Sequence, residues 1–216
     1  MEKRKKKIWI NQDWYVPLNL FGLGFVLYIV YGVKNSFQFL PLLEILGCWL
    51  ASCVIPILNI KLQPRCPIYV NIWIAILIII GGYLGGACAF YDQFLYWDTF
   101  CHTFFGMVSG VVFIYLIHLF HIEKMNLFAL AILELFFTLG LAGIWELFEF
   151  ACDCMFHTDF QKIVLSVEQG KLPQWDTMMD MLVAFLGCLA HYIGYIIYRQ
   201  IKAKKDRTKD SNVGII

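Results

Sequence analysis

Six long apolar runs divide this 216-residue sequence, and they constrain its fold more than any other feature. A helix needs about twenty apolar residues to cross the roughly 30 Å hydrocarbon core of a bilayer, and the runs are about that long. Hydrophobic residues make up 60% of the chain, against roughly 45–50% in soluble domains, so the runs predict membrane spans. We therefore expect an all-α, polytopic helical bundle, a single unit over residues 1–200, with spans at 17–33, 38–60, 68–90, 98–120, 127–150 and 176–198.

Lysine and arginine residues are distributed unevenly between the two sides that these spans define. Lys34, Lys162 and Lys171 fall on one side, and the other 14 of the 17 fall on the side of the two termini. Because basic loops stay in the cytoplasm, we expect both termini there. Residues 201–216 would be a basic cytoplasmic tail, which we expect to be disordered and held near anionic lipid.

Three pairs of ionisable residues lie at the ends of the last three spans. The pairs are Asp98 and His102, Glu146 and Glu149, and Asp176 and Asp180. Spacings of three or four residues place both members of a pair on one helix face. The predicted topology also puts all three pairs at the outer end of the membrane. Since charged side chains in or beside spans cost free energy, we expect the pairs to form one functional site.

Small residues continue the helix faces that carry these three pairs. They are Gly106, Ser109 and Gly110 in the fourth span, Gly143 and Ala142 before Glu146 in the fifth, and Ala184 and Gly187 in the sixth. Small residues allow membrane helices to approach closely. We therefore expect the pairs to face neighbouring helices rather than lipid.

Helix capping is the simplest alternative explanation for these acids. It would account for Asp98 and Asp176, which begin their helices, where the helix dipole favours negative charge. It fails for Glu146 and Glu149, because they lie near the end of their span, where the dipole repels anions. A bound cation, a protonated His102, an outer lysine, or protons shared between carboxylates would have to offset their charge.

An ion-binding site is the first of three explanations for this arrangement. Carboxylate oxygens and one imidazole suit Mg²⁺, Mn²⁺, Ca²⁺ or Fe²⁺, and they can also bind Zn²⁺. We expect a divalent metal cation to be held by Asp98, His102, Glu146, Glu149 and Asp180. Asp176 would act as a base or support the ligands, and His102 would share the catalytic role. A proton-sharing carboxylate cluster and a purely structural network are the other two explanations.

Three further ionisable residues lie inside spans, and the sequence leaves their roles open. Glu44 could join the site from beneath, whereas Glu134 and His191 are expected in the cytoplasmic half. His191 shares a face with Asp180 but follows it by eleven residues, about 16 Å along a helix, so it cannot bind the same ion. A proton path and ordinary hydrogen-bonded packing are both compatible with its position.

The connection at residues 151–175 is long for a compact domain, where such loops are often lids or binding loops. Residues 160–167 contain an apolar stretch that could lie in the membrane interface. The sequence does not decide between a loop that covers the site and a solvated connector.

Ordered motifs occur at residues 96–106, 145–150 and 175–181. They resemble the Tyr-Asp-x-x-x-His-Phe-x-x-Gly, Glu-x-x-Glu-Trp and Trp-Asp-x-x-x-Asp-Met segments of the bacterial YjdF-like inner-membrane proteins. The chain departs from that pattern at Phe150, where Trp is expected, and at Pro173 and Gln174, which replace a lead-in rich in Gly and Asp before the last motif. The resemblance covers residues 91–198 and implies a small multi-pass protein of a bacterial plasma membrane, with no activity to carry over. The Asp-x-x-x-His element alone is also similar to VanZ-like membrane proteins.

Our leading functional hypothesis is a membrane-embedded enzyme that uses a metal-activated water on a lipid or another small envelope molecule. A cation-coupled transporter or carrier is the second hypothesis, and a structural or regulatory membrane protein without turnover is the third. Carriers often contain repeats and broken helices at mid-membrane. Neither is evident in the sequence, which favours the enzyme. We expect membrane lipids and no nucleic acid among the partners, and the sequence does not decide the oligomeric state.

Overall fold

The computed structural model of this protein describes residues 13–35, 37, 39–60, 65–122 and 124–213. This part of the chain is mostly helical and contains no β-strand. Six of its helical segments are long and apolar enough to cross a membrane. The predicted all-α architecture with six spans is therefore confirmed.

The first span is one continuous helix, whereas the second and third spans are each built from two pieces. Helix α1 is Tyr15–Asn35, and the second span consists of α2 (Phe39–Ser52) and α3 (Val54–Leu58). The third span begins with α4 (Ile68–Leu77) and continues as a π-helix at Ile78–Ala87. π-helical turns are rare in proteins, and those that occur are often located at functional sites.

The last three spans are continuous helices: α6 (Trp97–Leu119), α7 (Leu127–Phe156) and α9 (Trp175–Val213). Short helices lie in two of the connections. Helix α5 (Phe90–Gln93) precedes α6, and helix α8 (Ile163–Glu168) precedes α9. The short helix α8 occupies part of the long connection between the fifth and sixth spans.

Helix α9 extends well beyond the predicted span at 176–198 and ends at Val213. Residues 199–207 are mostly lysine, arginine and other good helix formers, so the helix continues after the apolar run stops. The expectation of a disordered tail is therefore wrong for residues 201–213. Basic residues 3–7, Lys61 and residues 214–216 lie outside the described part of the chain. The side of the membrane on which the termini lie stays a prediction.

Helix α7 also continues past its predicted end at residue 150. His157 ends it with a left-handed backbone, at φ 56°, and the His157 amide donates to the Asp153 carbonyl at 3.0 Å. A left-handed residue is a common helix end. The extra turns carry α7 beyond Glu149 and bring Asp153 to the start of the following loop.

Helix α9 packs mainly against α6, and then against α7. A Cβ atom at Gly106 would collide with the Ala184 carbonyl, and one at Gly187 would collide with the Thr103 carbonyl. The two backbones therefore touch, as the small-residue faces predicted. This close contact brings together the N-terminal turns of α6 and α9, which carry two of the ionisable pairs.

Candidate metal centre

Three of the predicted ligands meet where the N-terminal turns of α6 and α9 lie side by side. One donor atom from each of Asp98, His102 and Asp180 lies within 4.8 Å of the other two. His102 Nε2 is 3.5 Å from Asp98 Oδ1 and 3.7 Å from Asp180 Oδ2. Such separations fit donors around one ion, because each donor would lie about 2.0–2.6 Å from it.

Contacts with the π-helix fix the start of α6. The Trp97 indole N–H donates to the Ile80 carbonyl at 3.1 Å, and the Cys101 thiol donates to the same carbonyl at 3.8 Å. The Trp97 ring also packs edge-on against Phe90, with 4.9 Å between centroids. The third span therefore anchors the turn that carries Asp98.

Lys162 enters this cluster from the loop between α7 and α8. Its ammonium group contacts Asp98 Oδ2 and lies 3.6 Å from Asp176 Oδ2. The Lys162 backbone has φ 48°, a left-handed conformation that residues with a Cβ rarely adopt, and such strain is frequent at functional sites. Burial alone would lower the pKa of Lys162, but attraction to Asp98, Asp176 and Asp180 outweighs it and raises that pKa above its ordinary value.

Asp153 holds the loop that delivers Lys162. Its carboxylate accepts from the Thr158 hydroxyl at 2.6 Å, and from the amides of Phe160 and Gln161 at 2.7 and 3.1 Å. The Gln161 side chain in turn donates to the Glu146 carbonyl and to the Thr177 hydroxyl, both at 3.4 Å. The loop is therefore packed over the acid cluster, and the alternative of a purely solvated connector is wrong for this part.

Helix α8 matches the apolar stretch that the sequence indicated in this connection. Asp159 accepts from the amides of Val164 and Leu165 at 3.1 and 3.3 Å, so it caps the first turn. Val164, Leu165 and Val167 are exposed. Exposed apolar side chains on a short helix beside the spans suit an interfacial position.

Glu146 and Glu149 border the cluster on the α7 side. Glu149 Oε1 accepts from the Trp145 indole at 2.7 Å, and its carboxylate interacts electrostatically with Glu146, His102 and Asp180. Glu146 is buried, and its Oε2 atom has no hydrogen-bond partner among the residues that the structure describes. The three donors that lie within ion-binding distance of one another do not include these two glutamates.

Tyr91 adds a phenol to the cluster. Lys162 Nζ lies 5.9 Å from the centre of the Tyr91 ring. Burial, and then the nearby Cys101 and Asp98, raise the pKa of the Tyr91 hydroxyl, so it stays protonated at neutral pH. Sequence reasoning missed Tyr91, which lies in a short connection without a motif. Lys162 was named only as one of three outer lysines.

The negative and positive charges of this site do not balance. Five carboxylates face one lysine and one histidine; the acids are Asp98, Glu146, Glu149, Asp176 and Asp180. Clustered carboxylates stay together when a cation binds them or when some of them are protonated. The arrangement can therefore hold a cation or store protons.

The other intramembrane acids lie away from these donors. The Glu44 carboxylate packs against the π-helix, where a Cβ atom at Gly86 would be 2.8 Å from Glu44 Oε2. Glu134 pairs with His191, with 2.6 Å between Oε1 and Nδ1. This second pair lies further along α9 than the acid cluster, as the spacing of Asp180 and His191 predicted.

Residues 16–200 match the model of a family described as a predicted membrane protein, DUF2238. The match includes the first three spans, in which no motif was recognised from the sequence. No curated protein and no solved structure matches the chain.

Proposed function

We propose that this chain, which belongs to the DUF2238 family of predicted membrane proteins, is a metal-dependent membrane enzyme that acts on a lipid or another small envelope molecule. The observation that carries the proposal is the convergence of Asp98, His102 and Asp180 at the ends of two spans. Two carboxylates and one imidazole suit Mn²⁺, Fe²⁺ or Zn²⁺. The likeness of the last three spans to YjdF-like proteins is compatible with this proposal and adds no activity.

Three protein donors leave coordination positions for water and substrate, which is the pattern of catalytic rather than structural metal sites. The bound ion would supply an activated water for hydrolysis. Asp176 is the general base in this proposal, because it lies beside the cluster without being one of its three donors. Lys162 would leave Asp98 and Asp176 to pair with an anionic group of the substrate.

A lipid substrate is supported by the surface next to the site. A shallow apolar groove of about 500 Å³ is lined by residues 93–97 and Phe100, immediately before and within the first turn of α6. Phe94, Tyr96 and Phe100 are exposed there. Aromatic side chains are enriched at the membrane–water interface, so a lipid could lie in the groove with its polar end towards Asp98.

Turnover of lipids by the purified protein tests this proposal. The wild type, Asp180→Asn and Asp92→Asn would each be incubated with a bacterial lipid and envelope extract, with Mn²⁺ or with a chelator. Asp92 is an exposed acid near the same end of the bundle and is the matched control. We expect mass spectrometry to detect a substrate consumed by the wild type and by Asp92→Asn only with the ion, and not by Asp180→Asn. Turnover that survives in Asp180→Asn, or no turnover in any sample, would contradict the enzyme proposal.

A cation-coupled carrier is the second candidate, because a further buried acid, Glu134 of α7, lies inside the bundle away from the three donors. Carriers use intramembrane acids to bind the driving ion. An ion-dependent accumulation of solute in vesicles, without chemical change of any extract component, would favour this candidate over the enzyme.

A further inference from the structure

A second pair of a carboxylate and an imidazole lies far from the candidate metal centre. Glu134 Oε1 on α7 lies 2.6 Å from His191 Nδ1 on α9. His191 follows Asp180 by eleven residues, which is about 16 Å along a helix. The pair therefore lies inside the membrane-spanning part of the bundle and is a separate site.

Neighbouring residues pack closely against this pair. Glu134 is fully buried, and Gly110 of α6 faces both partners. A Cβ atom at Gly110 would lie 2.5 Å from Glu134 Oε1 and would collide with His191 Nδ1. A residue larger than glycine at position 110 would thus push the two side chains apart.

The two oxygens of the buried acid differ in their partners. Glu134 Oε1 accepts from the Cys188 thiol at 3.8 Å and lies beside His191, whereas Glu134 Oε2 makes no hydrogen bond to any described residue. Leaving an acceptor unpaired in a low-dielectric interior costs more when the acceptor belongs to a charged group than when it is neutral. A proton on Oε1, donated to His191 Nδ1, makes Oε2 the carbonyl oxygen of a neutral acid and lowers that cost.

We propose that Glu134 and His191 form an intramembrane proton-binding site, in which one exchangeable proton is shared between Glu134 Oε1 and His191 Nδ1. When the proton lies on the carboxyl group both partners are neutral, and when it moves to the imidazole they become an ion pair. Either state has no net charge, which is the least costly arrangement in hydrocarbon. Loss of the proton leaves a lone carboxylate, which is the costlier state in hydrocarbon.

The groups around the pair indicate the route of exchange. Glu134 is fully buried, but the His191 side chain keeps 15% of its surface exposed. On α9, Tyr195 stacks on the His191 ring, and Arg199 lies over Tyr195 at 5.8 Å from the ring centre. This row leads towards the basic end of α9, so His191 is the partner that exchanges protons with the surroundings.

Besides His191, one titratable side chain of α9 contacts Glu134 in the described part of the chain. It is Cys188, whose thiol donates to Glu134 Oε1. Helix α7 contributes the fully buried Thr138 one turn along from Glu134, and α6 contributes Gly110. The proton site does not depend on the proposed metal or on the proposed enzyme activity.

Infrared difference spectroscopy of the full chain in lipid discs tests this inference. Spectra would be recorded from about pH 5 to about pH 10, a range that covers the ordinary pKa of histidine. We expect the carbonyl band of a protonated carboxylic acid that shifts in D₂O, disappears as the pH rises and is missing in Glu134→Gln. The same band should persist in Asp98→Asn, which alters only the metal centre. A Glu134 band that is absent at every pH, or that never changes with pH, would overturn the proposal.

Two further measurements keep the test decisive if Glu134→Gln does not fold. In the wild type, the ring nitrogen signals of ¹⁵N-labelled His191 should change together with the carboxyl band when the pH is varied. Gly110→Ala should alter this joint change, whereas Gly140→Ala, where a Cβ atom would meet nothing within 4 Å among the described residues, should leave it unchanged. A constant His191 signal, or equal effects of the two glycine variants, would contradict a shared proton.

Discussion

Asp98 is the residue for which Lys162 and a bound metal ion would compete. Its Oδ1 atom faces His102 at 3.5 Å, and its Oδ2 atom contacts the Lys162 ammonium group. A divalent ion bound by Asp98, His102 and Asp180 would repel that ammonium group. Lys162 is therefore an internal cation that offsets part of the acidic charge and lowers the affinity for an added ion.

Lys162→Met should increase the affinity for a divalent ion and lower the stability of the ion-free protein. Removing the positive charge leaves the five carboxylates less compensated, so we expect Mn²⁺ to bind on the order of tenfold more tightly, a change of about 1.4 kcal/mol. Melting curves across a Mn²⁺ titration measure both effects. Lys171→Met removes an exposed lysine from the same connection between α7 and α9. It should change neither the ion affinity nor the stability. Weaker ion binding by Lys162→Met would contradict the competition.

The contribution of Lys162 to stability should depend on pH in one direction only. Its pKa is raised from an ordinary value of 10.5 by the surrounding carboxylates. A raised folded pKa means that the stabilisation is complete below about pH 10.5 and is lost as the pH rises through the folded value. The difference in melting temperature between wild type and Lys162→Met should therefore be constant from about pH 7 to about pH 9 and shrink above about pH 10.5. A difference that fades below about pH 9 would show that the ammonium group is not held by acids.

Among the structural elements, the contact between α6 and α9 determines whether the site exists. Gly187→Ala should separate these helices, because the new Cβ atom would strike the Thr103 carbonyl. We expect a loss of about 1–3 kcal/mol in unfolding free energy, together with weaker ion binding, measured by thermal melting with and without Mn²⁺. Gly143→Ala introduces a Cβ atom with no described residue within 4 Å and should be neutral or stabilising. Equal stability of the two variants would contradict this packing.

The same elements show what the sequence could predict. Apolar runs locate the helices because hydrocarbon requires them, and the i, i+4 spacing of Asp98 and His102 locates one face of the site. Small residues correctly indicated the packing of α6 against α9, whereas a Cβ atom at Gly143 on the Glu146 face would meet nothing within 4 Å among the described residues. Periodicity does not describe loops, so the entry of Lys162 and Tyr91 into the site could not be predicted. Hydropathy also predicts that the sixth span ends at residue 198. It does not predict that helix-forming residues continue α9 to Val213.

At the scale of the whole molecule, the direction in the membrane is still a prediction. Fourteen of the 17 basic residues lie on the side of the termini. A reporter fused after Ile216 should therefore be cytoplasmic, and one inserted near Gly170 should be external. The opposite result would place the acid cluster at the cytoplasmic face and would exclude an external substrate.

The central claim is that Asp98, His102 and Asp180 bind a divalent cation, and the metal content of the purified protein tests it most directly. The full chain would be loaded with Mn²⁺, Fe²⁺ or Zn²⁺ in turn, washed, and assayed for metal per chain, beside Asp98→Asn, Asp180→Asn and the control Asp92→Asn. We predict about one ion per chain in the wild type and in Asp92→Asn for at least one metal, and almost none in the two site variants. The same metal content in Asp180→Asn as in the wild type, or no retained metal in the wild type, would contradict the account.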